Sequence, residues 1–166
     1  AELTGFPYLP PLWSLGYLQS HRTLASRTEV MDEARTFREK KLPCDALIYL
    51  GTGFCPSGWN TGHGSFTFNE NVFPDPKAMI AQLHDEHFKV VLHVVPPGDF
   101  HGTIHDSGTA AHAPGDAVSY WRQHLPVEDA GVDGWWPDEG DGLSVTARLQ
   151  RNQLYWEGPL RAHPDR

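Results

Sequence analysis

The 166-residue chain contains little cysteine, no long apolar run and no cluster of basic residues. Cys44 and Cys55 are too few for a disulfide scaffold, and the pattern places them at opposite ends of one predicted strand, which favours free thiols. No stretch approaches the roughly 18 apolar residues of a transmembrane helix. Thirteen basic residues against 21 acidic ones give a net charge of −8, so the chain as a whole repels nucleic acid and anionic membranes.

The residues that are present are typical of one folded domain. Six tryptophans and eight phenylalanines make the composition too apolar for a disordered chain. Short apolar runs alternate with segments of helical periodicity. The predicted strands are residues 10–20, 44–50, 89–95 and 132–138. The predicted helices are residues 28–40, 76–87 and 116–125, the second with Asp75 as its N-cap.

This alternation of strands and helices predicts a parallel α/β sheet with right-handed crossovers. Doubly wound sheets and barrels share the pattern, and the periodicity alone does not separate them. No GxGxxG or P-loop motif follows any predicted strand, which argues against a nucleotide-binding protein. The remaining segments are a short hairpin strand at 65–69, a long polar loop at 98–115 and a weakly patterned tail from residue 143.

The end of the fourth predicted strand carries the strongest candidate site, because functional residues of parallel α/β folds lie at the carboxyl ends of the strands. Side chains alternate along a strand, so Gly134, Trp136 and Asp138 share one face while Trp135 lies on the other. An aromatic ring beside a carboxylate suits a sugar and an oxocarbenium-like centre. The competing interpretation is an aspartate that caps a loop and a tryptophan that fills the core.

Four groups of residues, in order along residues 10–142, carry a family resemblance. They are Leu15-Gly16-Tyr17 with Gln19 and Arg22; Arg38-Glu39 with Leu42-Pro43-Cys44-Asp45; Phe66-Thr67-Phe68 with Phe73-Pro74-Asp75-Pro76, Met79 and Leu83-His84; and Gly131-Val132-Asp133-Gly134-Trp135-Trp136-Pro137-Asp138-Glu139. Together they resemble glycoside hydrolase family 31, the α-glucosidase and α-xylosidase family. The agreement of independent motifs is more specific than any one of them.

The resemblance implies a (β/α)8 barrel of which residues 1–166 are one segment, the first half, with four parallel strands in sequential order. It implies that Asp138 is the nucleophile of a retaining α-glycoside hydrolase and that Trp136 shapes the sugar subsite. The general acid would follow the sixth strand, beyond this chain. The implied partners are an oligosaccharide or glycoside substrate and the remainder of a parent enzyme or a second copy, with no nucleic acid and no membrane. No cofactor and no metal is implied, because the chemistry needs only two carboxylates.

Three departures from the family pattern favour a divergent sugar preference. The acidic residue usual at the end of the second strand is missing from residues 50–53. The acid common at the end of the third strand is replaced around Val95. The residues that follow Asp138 are Glu139-Gly140-Asp141, which differ from the usual Met-Asn-Glu.

Further substrate-binding residues are predicted in the loops after the first two strands. We expect His21 or Arg22 to face substrate, since both follow strand one. Trp59, Phe54 and His63 follow strand two and are candidates for a sugar subsite, with a hydrophobic cluster of the loop as the alternative. His93 lies within strand three, where a hydrogen-bonded histidine of the core or barrel lumen is favoured over a catalytic base.

Two other interpretations remain beside the glycosidase. A metal site drawn through His101, His105, Asp106 and His112, or through His84 and His87, matches no compact zinc spacing, so a solvated loop and a polar helix face are preferred. The alternative function is a non-catalytic carbohydrate-binding or structural half-barrel module that lacks the general acid.

Overall fold

The computed structural model describes residues 5–6, 9–21, 25–53, 57–62, 64–95, 120–138 and 144–162. Its centre is one sheet of four parallel strands in the order β1-β2-β3-β4. The strands are β1 Leu18–His21, β2 Ala46–Tyr49, β3 Lys89–Val94 and β4 Gly134–Pro137, and the helices are α1 Arg27–Glu39, α2 Pro76–Asp85, α3 Leu125–Asp129 and α4 Val145–Ala162. The sheet thus has the sequential parallel β/α units that the sequence predicts and that a (β/α)8 barrel repeats.

Local signals explain where the two long N-terminal helices begin. The Ser26 side chain accepts a hydrogen bond from the Glu29 main-chain N–H, and the Glu29 carboxylate accepts one from the Ala25 N–H. Asp75 caps α2 by accepting from the Ala78 N–H over 3.1 Å, and Pro76 follows at the first helical position. The predicted N-cap Asp75 and the predicted start of α2 at Pro76 are therefore confirmed, whereas the other predicted ends of the two helices differ from the observed ones by one or two residues.

The apolar core lies between the sheet and the helices, on what we call the outer face of the sheet. Alternate residues of β2, β3 and β4 point there, among them Leu47, Leu92 and Trp135. From α1 and α2 the core receives buried side chains such as Val30 and Ile80. The inner face, which would line the lumen of a barrel, carries Val91, His93, Gly134, Trp136 and Asp138. Packing thus fixes the register that decides which residues reach the inner face.

The prediction of strand one is wrong in position and in burial. The residues before the strand form a 3-10 turn over Leu12–Leu15, in which the Pro11 carbonyl accepts from both the main-chain N–H and the hydroxyl of Ser14. Only Leu18–His21 pair with β2. Prolines at 10 and 11 favour a turn over a ladder. Ser20 is exposed because β1 has a neighbour on one side only within the described sheet.

Three later segments also differ from their predictions. The predicted hairpin strand at 65–69 amounts to a single antiparallel bridge between Asn60 and Phe68. Of the predicted third helix, residues 116–119 lie outside the described residues, residues 120–122 are helical, and the separate helix α3 begins at Leu125 with Pro126 in its first turn. The weakly patterned tail forms α4. Its sequence shows no amphipathic periodicity, because apolar residues such as Val145 and Leu149 are largely exposed. The predicted polar loop at 98–115 lies outside the described residues.

Candidate active site

Asp138 directly follows β4, and its main chain is held on both sides. Its N–H donates to the Val94 carbonyl of β3 over 2.9 Å, which extends the sheet by one residue. Its carbonyl accepts from Nη1 of Arg151 of α4, also over 2.9 Å. The Asp138 side chain is 40% exposed at the carboxyl end of the strand. The predicted nucleophile is therefore an accessible carboxylate on a fixed backbone.

The neighbours of Asp138 confirm the predicted register of β4. Trp136 pairs with His93 across the ladder and is 39% exposed on the inner face, with its ring edge-to-face on the His93 ring at 5.0 Å. Trp135 points to the outer face, where its Nε1 donates to the Glu128 carboxylate over 2.9 Å. An exposed indole and an exposed carboxylate thus stand side by side on the inner face.

His93 is fully buried and lies against Asp138. Its Nε2 is 3.0 Å from Oδ2 of Asp138. Its Nδ1 accepts a longer hydrogen bond, 3.5 Å, from the main-chain N–H of Gly51, which follows β2. The histidine therefore connects the ends of β2 and β4, and the prediction of a hydrogen-bonded lumen histidine is confirmed.

Trp59 does not line an open subsite. It is 1% exposed and packs on Phe68 and Trp135 on the outer side, and its Nε1 donates to the His93 carbonyl over 2.7 Å. The alternative prediction, a hydrophobic cluster of the loop, is therefore confirmed for Trp59, and its assignment to substrate binding is wrong. The indole is buried in this position because its ring packs in the apolar core while its N–H donates to the His93 carbonyl near the end of β3.

The loop after β2 is held by Asn60, which is 2% exposed. Its Oδ1 accepts from the Thr52 N–H over 2.7 Å, and its Nδ2 donates to the Ser65 carbonyl over 2.8 Å. A Cβ at Gly58 would lie 1.9 Å from the Thr52 nitrogen, so the close approach of these two chain segments requires glycine. Nothing in the local sequence pattern distinguished this supporting asparagine from an ordinary loop residue.

Several predicted residues cannot be placed in the site geometry. His21 ends β1, where the ladder pairs it with Tyr49. Arg22, Phe54 and His63, together with Cys55, lie outside the described residues. So do the histidines of the predicted polar loop and the acidic residues Glu139 and Asp141.

Asp133, the other aspartate of the fourth-strand motif, lies at the opposite end of β4. It accepts hydrogen bonds from the Val90 N–H at 2.9 Å and from Lys89 Nζ at 2.8 Å, and its Oδ2 is 2.7 Å from His84 Nε2. Five residues of extended chain separate it from Asp138 by about 16 Å. Asp133 therefore ties α2 and β3 to the start of β4 and is not a partner for Asp138. Within the described ranges, no three histidine, cysteine or acidic side chains converge as metal ligands.

A buried aromatic cluster supports β4 from the outer side. His124, which precedes α3, stacks on Trp121 at 4.3 Å and contacts the Trp135 ring edge-to-face. Its Nε2 is 3.1 Å from the Tyr155 hydroxyl of α4. Burial lowers the pKa of His124 from 6.5 to about 3, so the ring is neutral at physiological pH. Burial likewise raises the pKa of Tyr120 to about 12 and that of Tyr155 well above its usual value.

The sequence of this chain matches the family model of the glycosyl hydrolases family 31 TIM-barrel domain over residues 7–113. The chain belongs to glycosyl hydrolase family 31. Among curated relatives, it is 30% identical to an α-xylosidase of Saccharolobus solfataricus over 159 residues, covering 86% of this chain and 21% of that protein. It is 41% identical to α-glucosidase 2 of Bacillus thermoamyloliquefaciens over 97 residues, covering 58% and 11% respectively. The chain thus spans about a fifth or less of these family 31 relatives.

Solved structures of family 31 enzymes share this fold. A dextranase of Flavobacterium johnsoniae, in complex with isomaltotriose, superposes with a TM-score of 0.77 at 19% identity, over 98% of this chain and 26% of that one. An α-xylosidase from a soil metagenome gives a TM-score of 0.73 at 19% identity, over 92% and 28%. The likeness is one of fold, and it confirms the predicted partial (β/α)8 barrel of four parallel β/α units.

Proposed function

We propose that this chain is the first half of the catalytic barrel of a retaining α-glycoside hydrolase, with Asp138 as the nucleophile. The observation that carries the proposal is the side-by-side exposure of Asp138 and Trp136 on the inner face at the carboxyl end of β4. This is the end of a parallel strand at which (β/α)8 enzymes carry their catalytic residues. Membership of family 31 and the curated relatives, an α-xylosidase and an α-glucosidase, support the reaction class.

In the proposed reaction, a carboxylate oxygen of Asp138 attacks the anomeric carbon of the bound sugar. The bond from that carbon to the glycosidic oxygen breaks, and the leaving oxygen takes a proton from a general acid. Water then hydrolyses the glycosyl-enzyme ester, so two inversions give overall retention. The two carboxyl groups of such a pair stand about 5–5.5 Å apart, which Asp133 at the far end of β4 does not satisfy. We assign the acid to the second half of the barrel.

The sugar would rest against Trp136, whose indole offers an apolar face next to the nucleophile. Further contacts to the sugar can come from the loops after β1 and β2, because both strands end at the same edge of the sheet as β4. The candidates in these positions are His21, Arg22 and Phe54. An α-glucoside or α-xyloside is the substrate class that the names of the relatives support. Trp59 is not included, since it is buried on the other side.

The test is Asp138→Ala in the full-length enzyme, with exposed Asp129→Ala as the matched control. We expect Asp138→Ala to lower kcat by several orders of magnitude with unchanged thermal unfolding. Azide should restore turnover of an activated aryl α-glycoside by taking the place of the missing carboxylate, and the product should be the β-glycosyl azide. Wild-type activity in Asp138→Ala would contradict the proposal. A full-length protein that binds glycosides without hydrolysing them would favour the alternative of a non-catalytic module.

A further inference from the structure

His93 is a fully buried side chain that contacts the carboxylate of the candidate nucleophile, Asp138. Asp138 is 40% exposed, whereas His93 is 0% exposed, and their closest atoms are 3.0 Å apart. Neither substrate nor bulk water can reach the imidazole while the sheet is intact. A role in proton exchange with substrate is therefore unsuitable for His93, and a role that acts through Asp138 is suitable.

The main chain of the loop after β2 fixes which nitrogen of His93 carries the proton. A peptide N–H is a donor only, and the Gly51 N–H points at Nδ1. Nδ1 must therefore present its lone pair, so the proton of the neutral ring is on Nε2. That proton faces Oδ2 of Asp138, which makes the contact a hydrogen bond from a neutral donor to a carboxylate.

His93 is also held at its main-chain carbonyl and at its ring. Trp59 Nε1 donates to the His93 carbonyl over 2.7 Å, and the Trp136 ring lies edge-to-face at 5.0 Å. Asn60 holds the loop that presents Gly51 by accepting from the next N–H, that of Thr52. A rotation of the imidazole would break the contact with Gly51 and move the ring against Trp136.

We propose that His93 is a positioning residue of this enzyme: its neutral ring, protonated on Nε2, holds the Asp138 carboxylate in the orientation for attack and stabilises its ionised form. The inference rests on the proposed role of Asp138 as nucleophile. It connects the carbohydrate chemistry at β4 to the backbone at the end of β2, where the sequence lacks the acidic residue usual in the family. Orientation matters because a misplacement of about 1 Å can cost on the order of 10²-fold in rate.

The test compares two amide substitutions in the full-length enzyme. In His93→Gln the side-chain amide is long enough to donate from near the position of Nε2. In His93→Asn the amide ends near the position of Nδ1 and does not reach Asp138. We expect His93→Asn to lower kcat/KM by about 10- to 100-fold, mainly through kcat, and His93→Gln to retain most of the activity.

The pH dependence of kcat/KM distinguishes a positioning role of His93 from a merely structural one, because a structural role would leave the acid limb unchanged. Loss of a donor to the carboxylate disfavours its ionised form, so the acid limb of kcat/KM should shift to higher pH in His93→Asn and return toward wild type in His93→Gln. If His93→Asn does not fold, the same limb is measured in His93→Gln and His93→Phe, of which only the second lacks a donor.

Equal activity and equal acid limbs in the donor and non-donor variants would overturn the role of His93. That result is distinct from failure of the proposed function, which would show as activity in Asp138→Ala whatever the His93 variants do.

Discussion

Arg151 donates a hydrogen bond from Nη1 to the main-chain carbonyl of Asp138 over 2.9 Å, and its side chain lies in a buried position in α4. The helix that follows β4 therefore reaches back to the end of the strand that precedes it. Together with the hydrogen bond from the Asp138 N–H to the Val94 carbonyl, this contact holds the peptide groups on both sides of the Asp138 Cα. The backbone of the candidate nucleophile is held before any substrate binds.

Arg151→Lys should weaken catalysis more than binding. A lysine retains the positive charge but lacks the planar fork that reaches the Asp138 carbonyl from its present path. We expect kcat in the full-length enzyme to fall by about tenfold with a small change in KM, because the contact orders the backbone of Asp138 and does not touch substrate. The exposed Arg122→Lys is the control, and equal kinetics in the two variants would contradict this role.

His124 should make stability depend on pH on the acid side. Its pKa is lowered from 6.5 to about 3 by burial, so between these values the unfolded chain binds a proton that the folded chain does not. Stability is therefore complete above about pH 6.5 and falls as the pH drops toward 3, by about 1.4 kcal/mol for each pH unit at the steepest.

The measurement for His124 is the free energy of unfolding in urea between pH 7 and 4, for wild type and for His124→Phe. The phenylalanine keeps the stacking on Trp121 but does not titrate, so the slope between about pH 6 and 4 should be smaller in the variant. An unchanged slope would show that other groups account for the acid loss. The exposed His87 provides a control as His87→Asn.

Gly158→Ala should destabilise the protein although it lies inside a helix. Helix propensity alone favours alanine by about 1 kcal/mol. A Cβ at Gly158, however, would lie 2.2 Å from the ring of the buried Trp121, and the ring would have to leave its stacking on His124. We expect a loss of about 1–3 kcal/mol. Gly62→Ala, whose Cβ would meet nothing within 4 Å, should leave the unfolding temperature nearly unchanged, and equal effects would refute the packing argument.

The 166-residue chain by itself should self-associate. Within the described sheet, β1 and β4 each pair on one side only, and unpaired strand edges recruit other chains. The exposed Trp136 on the inner face adds apolar surface to such contacts. Light scattering coupled to gel filtration should show dimers or larger species, and Ser20→Lys on the β1 edge should reduce them. A thermally stable monomer would contradict this expectation.

The sequence predicts most of the sheet because its strong signals are local. Proline and the Asp75 cap mark the start of α2, and the largely apolar strand β3 is buried on both faces. The alternation in β4 places Trp136 and Asp138 on one face, which requires only the period of a strand. Family motifs then connect this geometry to a half barrel.

The remaining features depend on tertiary contacts that no local pattern contains. The sequence around Trp59 is compatible with a sugar subsite and with the core. Its indole lies in the core, where its Nε1 donates to the main-chain carbonyl of His93. The contact from which we infer the tautomer of His93 comes from Gly51, 42 residues away in the sequence. Helix α4 escapes detection because exposed residues such as Leu149 and Trp156 blur its periodicity, although Arg151 of that helix contacts the site.

No helix in the described part of the chain is long and apolar enough to cross a membrane. The net charge of −8 disfavours a polyanionic partner.

The identity of the nucleophile is tested most directly by trapping the covalent intermediate. The full-length enzyme is incubated with a mechanism-based fluorinated glycosyl fluoride, digested with pepsin at acid pH to preserve the ester, and analysed by mass spectrometry. We expect one labelled peptide with the sugar on Asp138, and no label in Asp138→Ala. A sugar found on Asp133, Asp141 or any other carboxylate would contradict it.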